Sequence, residues 1–300
     1  MIHYLYRLKL LNTMRLDGRR ESTNVDDRRR RGGGKKAGIG IGGLVIAALI
    51  TWMMGGNPLS VLTQADLGEM LTEQSGGSYE PTAEEEALAK FSKQILAGTE
   101  DVWTQEFKKM GRTYRAPRLV LFHGSVQSGC GGASSQMGPF YCSADESVYI
   151  DLSFFSEMKQ QLGADGDFAY AYVIAHEVGH HVQHLLGILD NAHQQMNRMS
   201  EKESNRMSVR LELQADFLAG IWAYHDNRMF NSLENGDIEE GLNVASKIGD
   251  DYLQKQAQGY TVPDAFNHGT SAQRVRWLKK GIKSGNVNDG DTFSQSYNEL

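Results

Sequence analysis

Cysteine is scarce in this chain: of its 300 residues only two, Cys130 and Cys142, are cysteines. They do not form a Cys-x-x-Cys pair, and two thiols cannot supply a four-thiolate zinc site. A disulfide, metal ligation and two free thiols all stay open at this point. The choice between disulfide and thiol depends on the compartment, since disulfides persist outside the reducing cytosol.

Positive charge is lacking over most of the chain. Residues 1–36 carry eleven Lys and Arg against four Asp and Glu, whereas the remainder carries 20 basic against 33 acidic side chains. Nucleic-acid binding depends on neutralising phosphates, so the acidic remainder predicts no nucleic-acid partner. The basic amino-terminal residues therefore need another explanation, which the next segment provides.

One long apolar run is present, AGIGIGGLVIAALITWMMGG, which is uncharged over residues 37–56. This length suffices to cross a bilayer as a helix. A buried core helix and a cleaved signal peptide are the alternatives. The positive charge just upstream opposes the first, and the lack of a small-x-small site after Trp52 opposes the second. The run predicts one transmembrane helix and the lipid bilayer as a partner.

The positive-inside rule then predicts a single-pass membrane protein. Its amino terminus would lie in the cytoplasm and the bulk of the chain outside it. In that location a disulfide is favoured for Cys130 and Cys142, where it would hold a Gly- and Ser-rich loop.

The chain shows no internal repeat and divides into five segments. We expect a disordered basic cytoplasmic tail (1–36), the transmembrane helix (37–56), a linker (57–82), the main folded domain (83–285) and a flexible tail (286–300). In the domain, two predicted strands at 118–123 and 147–152 accompany a larger number of helices, which indicates an α+β fold, mostly helical with a small sheet. The predicted helices cover 82–110, 153–162, 167–186, 208–225, 237–256 and 271–282.

The motif His176-Glu177-Val178-Gly179-His180 carries the chemistry. On a helix, residues four apart share a face, so both imidazoles can bind one Zn²⁺. Glu177 would project beside them as the general base for a zinc-activated water. A solvated helix face is the alternative, but the apolar residues around the motif (Val173, Ile174, Val178 and Leu185) favour a buried helix.

Three patterns compete for the third metal ligand. A metzincin would need Gly and His where this chain has Gln183 and Leu186. A thermolysin-like spacing would nominate Glu201 or Glu203, which lie in a polar stretch. Glu212 is favoured because it shares a helical face with Asp216, which could accept a hydrogen bond from a ligand imidazole. The small residues Ala215, Ala219 and Gly220 would let another helix approach closely.

These motifs carry a family resemblance. HExxH followed by Glu-x-x-Ala-Asp resembles gluzincin proteases of the CaaX-processing type. Longer strings are similar to the bacterial family described as putative neutral zinc metallopeptidases: GRRESTNVDDRR, GPFYCSADESVYIDLSFF, AHEVGHHVQHLLG, RLELQADFLAGIW and HGTSAQRVRWLKKG. The resemblance starts at Met14 and implies a single-pass anchor in the bacterial cytoplasmic (inner) membrane and zinc-dependent peptidase activity. It also implies a zincin-like metalloprotease domain in the periplasm or another extracytoplasmic space.

By the same resemblance, the spacing from His268 to Arg274 is similar to the His-Pro-x-x-x-x-Arg segment of CaaX-type proteases. This implies that His268 stabilises the oxyanion, although His-Gly replaces His-Pro here; a structural or helix-capping role is the alternative. The predicted function is a membrane-anchored zinc metalloendopeptidase acting on protein or peptide substrates of the envelope. A catalytically silent zinc-stabilised scaffold and a zinc hydrolase of a non-peptide amide are the alternatives.

Overall fold

The computed structural model describes residues 14–30 and 79–300. Four short strands form one sheet: β1 (Val25–Asp27), β2 (Arg118–Phe122), β5 (Phe140–Cys142) and β6 (Ser147–Asp151). Their order across the sheet is β1-β2-β6-β5. The strands β1, β2 and β6 are parallel, and β5 is antiparallel to β6. A separate hairpin joins β3 (Ser125–Ser128) and β4 (Gly131–Ser134).

Eight α-helices account for most of the described residues. They are α1 (Ala83–Lys109), α2 (Ser153–Leu162), α3 (Asp167–Leu185), α4 (Ile188–Met196), α5 (Glu201–Phe230), α6 (Asp237–Lys247), α7 (Asp250–Gln258) and α8 (Ser271–Ser284). The α+β class, mostly helical with a small sheet, is confirmed.

Three of the helices begin at a residue whose side chain caps them. The cap side chain of each accepts a hydrogen bond from the backbone N–H three residues on, and the side chain of that later residue accepts one from the backbone N–H of the cap. These capping boxes pair Thr82 with Glu85, Ser200 with Glu203 and Thr270 with Gln273. This arrangement satisfies backbone donors that have no partner within the helix. The capping residues therefore determine where α1, α5 and α8 begin.

Small residues let the three central helices pack closely. A Cβ at Gly179 of α3 would lie 3.0 Å from the Ala215 carbonyl oxygen of α5. A Cβ at Gly220 of α5 would lie 2.4 Å from the Leu278 carbonyl oxygen of α8. The predicted close approach of a helix to Ala215 and Gly220 is confirmed, and α5 lies between α3 and α8.

The prediction that residues 1–36 form a disordered tail is wrong for residues 14–30. β1 pairs with β2, Met14 and Arg29 are buried, and Ser22 donates a 2.5 Å hydrogen bond to Glu100 of α1. Residues 14–30 fold although they are polar, because their arginines pair with acidic residues of α1 and α5. Residues 1–13 and 31–36 lie outside the described residues.

The predicted transmembrane helix at 37–56 and most of the linker also lie outside the described residues. No helix within residues 14–30 and 79–300 has the length and apolarity to cross a membrane. The sheet nevertheless contradicts the predicted single-pass topology. One crossing at 37–56 would separate residues 14–30 from residues 79–300, but Val25 and Leu119 are partners in the parallel sheet.

The flexible tail predicted at 286–300 is ordered and packed against α5. Thr292 and Leu300 are buried, and Arg210 of α5 donates hydrogen bonds to the carbonyl oxygens of Thr292 and Gln295. The prediction was wrong because the polar composition of residues 286–300 does not show that their backbone carbonyl oxygens bind Arg210, which is distant in the sequence. The domain therefore includes residues beyond 285 as well as residues 14–30.

The amino-terminal contact yields a stability prediction. Arg19 pairs with Asp226 of α5 at 2.7 Å, their side chains are 9% and 1% exposed, and Gly98 of α1 leaves room for the pair. Arg19→Met should lower the free energy of unfolding by about 3–5 kcal/mol, because Asp226 would stay buried without its partner. Chemical denaturation of purified protein measures this change.

The matched control is Arg15→Met, which removes an arginine that is 51% exposed from its pair with Glu234. Exposed pairs contribute at most about 1 kcal/mol. Equal, small losses in both variants would contradict the assignment of residues 14–30 to the fold.

Candidate metal centre

The metal centre begins with α3, which places His176, Glu177 and His180 inside the protein. His176 is 7% exposed and Glu177 is 9% exposed. Because the two histidines are one turn apart, their rings lie on one face, with centroids 4.9 Å apart. The predicted buried helix is confirmed, and the motif faces α5.

Glu212 of α5 completes a three-residue cluster with His176 and His180. Its Oε2 lies 3.1 Å from His176 Nε2, and its Oε1 lies 3.3 Å from His180 Nε2. In tetrahedral coordination, ligands about 2.1 Å from zinc lie about 3.4 Å apart, so these spacings fit a zinc ion. Within the described residues this is the one group of His, Cys, Asp and Glu side chains that could hold a metal.

The competing ligands Glu201 and Glu203 lie elsewhere. Both are in the first turn of α5, where Glu203 caps the helix through Ser200. Nine residues of helix separate Glu203 from Glu212, about 13 Å at 1.5 Å per residue. The structure therefore brings Glu212, and neither alternative, to the two histidines.

Asp216 lies one turn after Glu212 and is fully buried. It accepts hydrogen bonds from His176 Nδ1 at 2.8 Å, from the Tyr172 hydroxyl at 2.5 Å and from Arg274 Nε at 2.9 Å. Burial raises the pKa of Asp216, but the charges of Arg274 and His176 outweigh this effect and lower it. Asp216 is therefore an anion that accepts a hydrogen bond from His176, as predicted from its helical face.

Two of these partners were not assigned from the sequence. Arg274 is 3% exposed and donates to both oxygens of Asp216. It occupies the first position of a buried stripe on α8, followed by Trp277, Leu278 and Gly281. The sequence signal for a buried role of Arg274 was that it is the one charged residue on the apolar stripe of α8. Tyr172 is similarly four residues before His176, on the same face of α3.

The electrostatics of Glu177 differ from those of Asp216. Burial raises the pKa of Glu177, while the nearby His176 and His180 lower it and a net rise remains. A base with a raised pKa accepts a proton more readily than an exposed glutamate does. The arrangement can therefore hold a metal ion and place a proton acceptor beside it.

His268 lies in the loop before α8 and is held by Asp250. Its Nδ1 is 3.2 Å from Asp250 Oδ1, and Asp250 Oδ2 accepts the backbone N–H groups of Asn267, His268 and Gly269. Partial burial lowers the pKa of His268, but Asp250 and the charge of Glu212 raise it overall. His268 thus lies within electrostatic reach of Glu212, with 40% of its side chain exposed. Thr270 caps α8.

Cys130 and Cys142 form a disulfide, as expected. It joins the hairpin β3–β4 to β5, which is one of the two edge strands of the described sheet. Tyr149 and Asp151 belong to β6, which lies between β2 and β5 and is therefore not an edge strand. From β5, Tyr141 contacts His181 of α3 at 2.9 Å, so the edge strand is attached next to His180.

Comparisons with known proteins agree with this geometry. A family model described as "Putative neutral zinc metallopeptidase" matches residues 14–293. The uncharacterized protein YpfJ of Escherichia coli K12 is 51% identical over 290 residues, covering 94% of this chain and 100% of the relative. The uncharacterized protein Rv2575 of Mycobacterium tuberculosis is 42% identical over 191 residues, 60% of this chain and 64% of the relative. No solved structure matches.

The metal centre makes a prediction about zinc content. Glu212→Ala should lose most of the bound zinc, because two histidines alone leave the ion one protein ligand short. Glu203→Ala, a control on the same helix, should lose about 1 kcal/mol of stability through its cap and keep its zinc. Elemental analysis after gel filtration measures zinc per chain. Zinc that survives Glu212→Ala and is lost with Glu203→Ala would reverse the assignment.

Proposed function

The chain belongs to the family of putative neutral zinc metallopeptidases, and on this premise we propose that it is a membrane-attached zinc endopeptidase acting on envelope proteins or peptides. The observation that carries the proposal is the cluster of His176, His180 and Glu212, with Glu177 buried beside it. A purely structural zinc site needs no adjacent general base, so Glu177 favours an enzyme over a silent scaffold.

In this proposal His176, His180 and Glu212 hold the zinc ion. Bound there, zinc supplies Lewis acidity that activates a water molecule and polarises the scissile carbonyl. Glu177 accepts the proton of the attacking water and delivers it to the leaving amine. Three protein ligands leave a fourth position open, which a hydrolytic zinc site requires.

Two further groups support the reaction without binding the metal. Asp216, fixed by Arg274 and Tyr172, orients His176 through its Nδ1. His268, held by Asp250 and sensitive to the charge of Glu212, donates a hydrogen bond to the oxyanion. Such a donor contributes a few kcal/mol to transition-state stabilisation. The partial exposure of His268 is compatible with a group that meets substrate.

We propose that an extended substrate pairs with β5. This strand is at the edge of the described sheet and is tied to α3 through Tyr141 and His181. Edge strands present backbone donors and acceptors that an extended peptide can use. A peptide held this way would depend mainly on backbone hydrogen bonds, which suits an endopeptidase.

Membrane attachment through residues 37–56 is part of the proposal, as an insertion that does not cross the bilayer, because this run is uncharged and apolar. The disulfide favours an extracytoplasmic location for the folded body at the bacterial cytoplasmic membrane. Since β1 pairs with β2, residues 14–30 belong on the same side as residues 79–300.

The activity prediction concerns Glu177→Gln, a nearly isosteric change that removes the proton acceptor. The variant should fold and keep its zinc but lose activity by at least about 10²–10⁴-fold, the usual contribution of general acid–base catalysis. The readout is the set of new amino termini among envelope proteins, compared between cells expressing wild type and the variant. His176→Ala, as a control, should lose metal and activity together.

If the wild-type and Glu177→Gln cells show the same envelope termini, peptidase activity on envelope proteins is contradicted. A difference confined to non-peptide envelope components would instead indicate a zinc hydrolase of another amide.

The topology prediction uses single cysteines, since both native cysteines are in the disulfide. Asp17→Cys and Lys255→Cys introduce thiols at exposed positions of the two described ranges. In intact spheroplasts, a membrane-impermeant maleimide should label both to the same extent. Labelling of Lys255→Cys without Asp17→Cys would restore the single-pass arrangement and contradict the pairing of β1 with β2.

A further inference from the structure

The two metal-binding histidines have different hydrogen-bond partners. His176 Nδ1 contacts the buried carboxylate of Asp216, which Arg274 neutralises. His180 Nδ1 instead lies 2.9 Å from Oε1 of Gln183, a neutral side chain in the next turn of α3. Gln183 is fully buried. A buried glutamine beside a metal ligand calls for a reason, since burying an amide is costly without hydrogen bonds.

The contacts of Gln183 fix which way its amide points. Nε2 donates a 2.8 Å hydrogen bond to the Leu211 carbonyl oxygen and a 3.1 Å bond to Gln214 Oε1. A backbone carbonyl can only accept, so the NH₂ group must face Leu211. Oε1 therefore faces His180 and accepts a hydrogen bond from it. An inverted amide would place NH₂ against Nδ1 and two oxygens against each other.

This orientation determines the tautomer of His180. Since Gln183 Oε1 can only accept, His180 carries its proton on Nδ1. Nε2 then has a free lone pair, and it is the atom that lies 3.3 Å from Glu212 Oε1. The same glutamine links α3 to the backbone of α5 one residue before Glu212, so it fixes the spacing between two of the three ligands.

A neutral partner also suits the charge of the site. Glu177, Glu212 and Asp216 already place three carboxylates in a buried region, and Arg274 pairs with Asp216. A fourth carboxylate, at position 183, would be buried without a cation of its own. An amide orients the imidazole without adding charge.

We propose that Gln183 is a positioning residue for zinc binding, which sets the tautomer and orientation of His180 and links it to Leu211. The inference rests on the proposed metal site. It predicts that zinc affinity depends on the acceptor oxygen of residue 183, whereas stability depends on its NH₂ donor. Loss of such an outer partner typically costs 10- to 100-fold in metal affinity.

The test compares three variants by zinc affinity, using competition with a chromogenic chelator, and by thermal unfolding of the metal-free protein. Gln183→Met removes both the acceptor and the donor, so it should bind zinc about 10- to 100-fold more weakly and unfold at a lower temperature. Gln183→Glu keeps an acceptor oxygen for His180 but cannot donate to Leu211. It should unfold at a lower temperature yet bind zinc more tightly than Gln183→Met.

The matched control is Gln94→Met on α1. Gln94 is also buried, and its Nε2 donates to two backbone carbonyls, those of Leu16 and Arg19. It contacts no metal ligand, so this variant should be destabilised while its zinc affinity stays unchanged. The Co²⁺-substituted proteins add a spectroscopic readout: the d–d bands should shift in Gln183→Met and match wild type in Gln94→Met.

The outcomes separate the two levels of the proposal. Wild-type protein that binds no zinc would overturn the metal site itself. Wild-type zinc affinity and Co²⁺ spectrum in Gln183→Met would overturn only the positioning role. Should Gln183→Met fail to fold, Gln183→Glu decides: a loss of zinc affinity of 100-fold or more would overturn the role of the acceptor oxygen.

Discussion

The buried carboxylate of Asp216 is the interaction on which the rest of the metal centre depends. It accepts hydrogen bonds from Tyr172 and His176 of α3 and from Arg274 of α8, while it belongs to α5 itself. An isolated buried carboxylate would be strongly unfavourable, and these donors compensate its lost hydration. Without α8 the buried carboxylate would lose its cation, and without α3 it would lose two hydrogen bonds, so the three helices must pack together.

Close packing of these helices depends on small residues at the crossings. Gly179 within the HExxH motif allows α5 to approach α3, and Gly220 and Gly281 allow α8 to approach α5. The metal ligands are consequently carried by rigid helices rather than loops, and each histidine is oriented by a partner behind it. Asp216 does this for His176 with a compensated charge, and Gln183 does it for His180 without charge.

The parts of the structure that the sequence predicted are those with local signals. Helical spacing indicated that His176 and His180 share one helix face and that Glu212 and Asp216 share another, and the structure brings these side chains together. Apolar runs located β2 and β6 within one residue of their ends. The parts that were missed depend on distant partners. β1 has the sequence Val-Asp-Asp and pairs through its backbone with residues more than 90 positions away. The carboxyl-terminal residues are held by Arg210, and no periodicity in their own sequence indicates this contact.

The metal centre requires that His176, His180 and Glu212 together bind one zinc ion. Anomalous scattering at the zinc edge, from crystals of the purified protein, locates that ion. We expect one peak per chain, about 2.0–2.2 Å from Nε2 of both histidines and from a carboxylate oxygen of Glu212. A zinc-loaded protein whose peak lies elsewhere, or whose zinc is bound by the two histidines with a different third residue, would contradict this assignment.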